Sequence, residues 1–324
     1  MKKTISILAL GALSGISGTV SAQTSNVQMY GYIDLGIVKE SGKSPRLDRG
    51  QNNWLGFRGA EQLGGDLSAI FNLQMRFNPD TGGQEKSTAL FQGETTVGLA
   101  SKRFGTVRLG RALTPLWQKK WIYDPWADSA FNGSLANYNG DFNSDGLVTV
   151  DYHNYSRASN AVYYSTPDMA GFSVHVDAEI ERAVGDDPAK TLADTRQKGV
   201  SLNYANGGLT TMLSYEKNHI DSDITYVAGG YTFGAMTLLG SYSETKFARS
   251  NNKLTSMMVA GTYLVGIDTV RGGYGKIKES GNDKFTVGIN HPLSKRTNIY
   301  ADLYREELVD VGTTGVALGI THTF

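Results

Sequence analysis

Cysteine is absent from this chain of 324 residues. That excludes a disulfide-stapled secreted domain, thiolate metal sites and a cysteine nucleophile. Proline is scarce, at 7 residues against 39 glycines. Net charge is lacking too: 31 basic and 31 acidic residues balance, which gives no electrostatic reason to expect a nucleic-acid partner. Long apolar runs are missing beyond the N-terminus, so no membrane-spanning helix is expected. The mean hydropathy is −0.29 and 40% of residues are hydrophobic. What is present is aromatic: 4 Trp, 17 Tyr and 12 Phe, too many for a disordered chain. A glycine- and tyrosine-rich, proline-poor chain fits two kinds of β protein. One is a soluble sandwich or solenoid, the other a barrel whose apolar residues face lipid.

The first residues narrow the choice. Lys2 and Lys3 precede an apolar run from Ile5 to Ala12, and small residues lead to Val20-Ser21-Ala22. This is the three-part pattern of a secretory signal peptide spanning 1–22, with cleavage expected after Ala22. The remainder, 23–324, is then an exported domain.

Within it, hydrophobicity alternates with period 2. In Phe172-Ser173-Val174-His175-Val176-Asp177-Ala178-Glu179-Ile180-Glu181 the split between apolar and polar positions is complete. One wet face and one apolar face follow. Sixteen such segments are expected, near 27–39, 52–60, 66–78, 90–101, 105–112, 159–166, 171–181, 197–206, 208–217, 223–233, 235–247, 254–264, 267–278, 284–291, 297–306 and 313–324. Their connections alternate in kind. Tight ones, such as Gly207, Gly234 and Val265-Gly266, take turns with longer polar ones. Tight turns at one rim and longer loops at the other is the sidedness of a membrane barrel. Sixteen strands also leave an aqueous lumen. One connection, 113–158, far exceeds the typical ~4–6 residues. It carries Trp117, Trp121, Trp126, Tyr123, Phe131 and Tyr138, so it has apolar surface to bury, and the lumen is the available place.

Several stretches resemble the general porins of Gram-negative outer membranes, in particular the trimeric type of Burkholderia, Bordetella and Neisseria relatives. They include Val27-Gln28-Met29-Tyr30-Gly31-Tyr32-Ile33-Asp34-Leu35-Gly36, Leu55-Gly56-Phe57-Arg58-Gly59-Ala60-Glu61-Gln62-Leu63-Gly64-Gly65, and Phe104-Gly105-Thr106-Val107-Arg108-Leu109-Gly110-Arg111 with Thr114-Pro115-Leu116. Asp124-Pro125-Trp126, the positions Arg157, Asn160, Val162, Tyr164 and Pro167, and Leu293-Ser294-Lys295-Arg296-Thr297 add to them. Terminal Phe324 is similar to the C-terminal aromatic signal that the barrel assembly machinery reads in this class. The resemblance implies an all-β fold, a 16-stranded antiparallel transmembrane β-barrel with an infolded third loop. It implies a homotrimer in outer-membrane lipid, each barrel a passive diffusion channel for ions and small hydrophilic solutes. No cofactor and no catalytic residues come with it.

Strand parity then selects pore residues. With Leu67, Ala69, Phe71 and Leu73 outward, Arg76 points inward. With Leu55 and Phe57 outward, Arg58 points inward, and with Val107 and Leu109 outward, so does Arg108. Asp34 shares the inward face with Tyr30 and Tyr32. The resemblance places these strands opposite the infolded loop, where guanidinium groups stay charged. Asp124 and Asp128 on the loop would face them, giving a transverse field across the narrowest water. Lys119 and Lys120 would make the constriction more positive if they face the lumen, and form a solvated bend if they face solvent. Asp177, Glu179 and Glu181 pull toward cations, so selectivity stays open. Arg111 and Arg157, at the loop's ends, either join the pore or anchor the loop.

Asp141, Asn143 and Asp145 before Gly146 look like the first half of a Ca²⁺ loop, but the twelfth position is Tyr152. A polar loop tip is the preferred reading, and no metal is expected. The histidines lack metal-ligand spacing and no GxSxG elbow occurs, so catalysis is not expected. The alternatives to a general diffusion pore are a solute-specific channel of the same fold and, with less support, a barrel used for adhesion or surface recognition.

Overall fold

The computed structural model describes residues 26–86, 89–129, 132–140, 156–180, 196–218, 221–248, 250–309 and 311–324. The signal segment 1–22, Phe131 and the Ca²⁺ candidates Asp141, Asn143 and Asp145 lie outside the described residues. The strands run in chain order as β1 (Asn26–Glu40), β2 (Arg46–Asp48), β3 (Trp54–Gly64), β4 (Leu67–Arg76), β5 (Glu94–Ser101), β6 (Gly105–Leu113), β7 (Arg157–Ser165), β8 (Phe172–Glu179) and β9 (Lys198–Asn206). They continue as β10 (Leu209–Lys217), β11 (Asp223–Phe233), β12 (Met236–Lys246), β13 (Lys253–Val265), β14 (Asp268–Ile277), β15 (Asp283–Pro292), β16 (Thr297–Leu308) and β17 (Val311–Thr323). Sixteen of these are the staves of a closed antiparallel barrel. The expected segments match them within a few residues. The three-residue β2 was not expected; it pairs with β1 at Gly36↔Asp48 to Val38↔Arg46 and extends the wall above β3.

Closure comes from β1, which pairs with β3 over Asn26 to Tyr32 and with β17 over Tyr32 to Glu40. Gly31 N donates to the Phe324 carbonyl at 3.0 Å and Phe324 N donates back at 3.2 Å, so the last residue finishes the seam. No strand edge is left open to lipid, where an unpaired backbone group would cost several kcal/mol (about the cost of a lost hydrogen bond in hydrocarbon).

Period-2 alternation becomes an outer apolar surface. Val97, Leu99, Val107 and Leu109 are exposed on the early staves, and Leu318 and Ile320 on the last. Of their neighbours on the same strands, Thr96 and Arg108 carry polar side chains, while Gly98, Ala317 and Gly319 are small. At one rim the turns at Gly207 and Gly234 both take φ +57, a left-handed conformation that glycine adopts without strain.

The apolar core lies inside the barrel and to one side. Leu116, Tyr123, Leu135 and Tyr138 of the third long connection are buried against Met212, Ile224, Tyr226, Ala228, Met258 and Ala260, all inward residues of β10, β11 and β13. The described part of the connection therefore folds into the lumen and covers the wall formed by those strands.

The seam supplies a stability test. A Cβ on Gly36 would stand 2.5 Å from the Leu318 carbonyl oxygen, whereas one on Gly83 would meet nothing nearer than 3.7 Å. Gly36→Ala should destabilise the barrel by about 1–3 kcal/mol, as overpacking against backbone does. Its heat-modifiable gel mobility should change at a lower temperature than that of Gly83→Ala; equal midpoints would contradict the seam geometry.

Candidate functional site

The lumen is narrowed by a loop whose shape is set from within. Pro115 occupies the first turn of α1 (Pro115–Lys119), where its missing N–H costs nothing. A 3-10 turn over Lys120–Tyr123 continues it. The chain then reverses through Ala127 and Asp128, both at positive φ. Asp124 is the hub of this reversal. It is buried and accepts hydrogen bonds from Trp126 N at 3.0 Å, Ser134 Oγ at 2.7 Å and Leu135 N at 3.0 Å. Burial raises its carboxyl above the ordinary range, and the three hydrogen bonds oppose the rise. Asp124 was expected to face the arginines across the lumen; it faces the interior of its own loop.

Lys120 also differs from expectation. It points neither to the lumen nor to solvent but is wholly buried. Its ammonium donates to the carbonyls of Asn139 (3.0 Å) and Gly140 (2.7 Å), lies 2.9 Å from Asp128 Oδ2 and sits 3.8 Å from the centre of the Trp117 ring. Burial pushes Asp128 up to about 6, with Lys120 pulling it down and Asp124 adding to the rise. Lys119 is half-buried on α1.

The loop is pinned to the far wall by one arrangement. Trp126 Nε1 donates to Asp302 Oδ1 at 2.9 Å. Arg271 grips the same carboxylate through Nη2 at 2.9 and 3.0 Å and donates through Nη1 to the Pro125 carbonyl at 3.2 Å. Its guanidinium carbon lies 4.7 Å from the Trp126 ring centre. Lys284 Nζ adds a bond to the Asn132 carbonyl, and Tyr138 Oη one to Glu306 at 2.9 Å. Arg271 and Asp302 were missed from sequence, although Val270 and Leu303 face outward and parity alone turns both inward.

Opposite the loop lies open space of about 560 Å³. Arg76, Arg111 and Arg157 from β4, β6 and β7 line it on one side; Trp117, Trp121 and Asp128 line it on the other. Glu85 joins the lining from another long connection; Arg49, behind it, pairs with it at 2.6 Å, and Arg76 lies 3.9 Å from the same carboxylate. Arg157 Nε donates to the Gly93 carbonyl at 2.6 Å, and Arg111 donates to the Gln92 carbonyl at 3.1 Å and to Ser159 Oγ at 2.7 Å. The two arginines at the third loop's ends thus hold residues 92–93 and share the wall with Arg76. Arg49 and Glu85 escaped the sequence reading because period-2 parity assigns no direction outside strands.

The other residues singled out from sequence lie elsewhere. Arg58 and Arg108 line a second space of about 400 Å³ with Glu94 and Thr96. Arg108 bonds Glu94 at 2.6 Å, and Arg58 donates twice to Gln28 Oε1, at 3.0 and 2.9 Å. Asp34 is only 2% exposed; it accepts from Tyr300 Oη at 2.9 Å, and its N–H donates to Asn53. Asp177, expected to pull toward cations, is buried beside Gly199, where Pro115 also packs. The first turn of the loop thus covers it. The arrangement leaves a guanidinium-rich wall, an open gap and a loop face of two indole rings and one ion-paired carboxylate.

A family model described as Gram-negative porin matches residues 9–310. Over its whole length the chain is 30% identical to the whole of outer membrane porin protein 32 of Delftia acidovorans. It is 28% identical, again over all of both chains, to an outer membrane porin protein of Bordetella pertussis. Among solved structures, the anion-selective porin from Comamonas acidovorans is similar with a TM-score of 0.78 and 27% identity, covering 93% of this chain and 100% of that one.

The pin at Asp302 generates a prediction. Asp302→Ala removes the acceptor of both Trp126 and Arg271 and leaves a half-buried guanidinium uncompensated. Stability should fall by about 3–5 kcal/mol. The loop should also become open to trypsin after Lys119 and Lys120, sites that the intact barrel shields; unchanged protection would show that the pin does not hold the loop.

Proposed function

The chain belongs to the Gram-negative porin family, and from that premise we propose that its channel prefers anions and is narrowest between the infolded loop and the wall carrying Arg76, Arg111 and Arg157. A porin of the outer membrane passes ions and small hydrophilic solutes by diffusion through its water-filled barrel. Charge at the narrowest point then decides which ion passes more readily. The observation that carries the anion reading is the imbalance across the gap. Three guanidinium groups and Lys86 line it, against Glu85 and Asp128. Asp128 is already held by Lys120, and the acidic side chain of Asp177 lies under the loop. The similarity to a porin described as anion-selective supports the same reading.

We further propose the assembly that the family resemblance implies. The signal segment 1–22 is removed, the barrel assembly machinery reads Phe324, and three copies associate in outer-membrane lipid. Residues 113–158 act as the constriction loop.

Reversal potentials across planar bilayers in a KCl gradient test the pore assignment. Arg76→Gln should lower the chloride-to-potassium permeability ratio by about twofold or more, since it removes a whole charge from a gap where water screening is incomplete. Arg58→Gln, which changes the second space, should move it less. Equal effects, or none, would remove Arg76 from the constriction, and the absence of stepwise conductance would sink the channel reading itself.

Asp128 predicts the pH dependence. Its carboxyl is held up at about 6, above the ordinary 3.8, so it takes up its proton as pH falls through that value. Protonation removes a negative charge from the gap. Chloride preference should therefore rise between about pH 7.5 and about pH 5, and Asp128→Asn should flatten that part of the profile.

A further inference from the structure

The loop side of the gap is aromatic. Trp117 and Trp121 are four residues apart across α1 and the following 3-10 turn, which sets both rings on one helical face. Trp121 is 47% exposed although Lys120 and Tyr123 beside it are buried. Its Nε1 donates to the Gln118 carbonyl at 2.9 Å, which fixes the ring's orientation. Trp117 is stiffened by the Lys120 ammonium over its ring. On the opposite side Trp54 of β3, itself stacked on Tyr32 at 4.8 Å, joins the lining beside Arg76.

A channel for inorganic ions gains nothing from holding indole rings in its narrowest water. Apolar rings facing a charged wall match a solute with the same two ends. The wall carrying Arg76, Arg111 and Arg157 suits a carboxylate, because guanidinium geometry matches its two oxygens. An aromatic ring attached to that carboxylate would reach toward Trp121 and stack there.

We propose that this constriction selects aromatic carboxylates, with Arg76 taking the carboxylate and Trp117 and Trp121 the ring. The inference rests on the anion-preferring channel reading above and adds a solute class to it. Aromatic stacking adds to the charge interaction, so the channel holds benzoate more strongly than an aliphatic carboxylate, and it holds the neutral aromatic alcohol weakly because the guanidinium wall has no charge to pair with.

The purified full-length barrel in planar bilayers provides the test, with sodium benzoate, sodium acetate and benzyl alcohol as probes of the chloride current. Benzoate should block saturably with a half-blocking concentration about tenfold below that of acetate, and benzyl alcohol should not block at concentrations where benzoate does. Trp121→Ala should bring the benzoate-to-acetate ratio toward one, and Trp121→Phe, which keeps a ring, should retain most of the preference. Arg76→Gln should weaken block by both carboxylates. A conducting, anion-preferring channel that benzoate and acetate block equally overturns this proposal and leaves the anion reading intact. A conducting channel that prefers cations overturns both.

Discussion

Every feature of this molecule depends on the rule that backbone polar groups inside a bilayer must be paired within the protein. A sheet in lipid satisfies that rule only by closing on itself. Here closure is made by a single strand, β1, which serves β3 with its first half and β17 with its second. The terminal Phe324 completes the ladder against Gly31. Once the sheet is closed, side chains sort themselves by parity, apolar ones to lipid and polar ones to the lumen. The negative mean hydropathy of the whole chain and the apolar outer surface are then one fact seen at two scales.

Closure also creates an interior too wide to be filled by strand side chains. The third connection occupies part of it and does so asymmetrically. Its apolar residues bury against Met212, Ile224, Tyr226 and Met258, and Trp126 is clamped by Arg271 and Asp302. The loop does not fill the space beside β4, β6 and β7, and Arg76, Arg111 and the more deeply set Arg157 line what is left. The balanced 31 and 31 of the whole chain conceal a local excess of cationic side chains along this gap. Acidic groups that would offset it, Asp124 and Asp177, are withdrawn into the loop and beneath it.

How much of this could be read from residue order depends on where period 2 holds. All sixteen staves were legible because alternation and glycine turns mark each one, as at Gly207 and Gly234. The inward direction of Arg76 followed for the same reason. Parity also turned Arg58 and Arg108 inward but could not say at which level of the lumen they sit, and they line a separate space with Glu94. Loop residues had no periodic signal to follow. Asp124 and Lys120 looked like free charges in the sequence, yet each is consumed by folding the loop: one binds backbone N–H groups and the other backbone carbonyls. Arg49 and Glu85 meet only because two connections approach each other in space, which no local pattern encodes. The short β2 was hidden for a similar reason, since three residues are too few to show alternation.

The bond from Trp126 to Asp302 joins residues 176 positions apart, and the partner strand is the penultimate one in the chain. The clamp on Trp126 therefore comes from a strand far from the loop in sequence. The loop's own hub, Asp124, is complete within the loop itself. The width of the aperture is thereby tied to the placement of β14 and β16, strands remote from the loop in sequence.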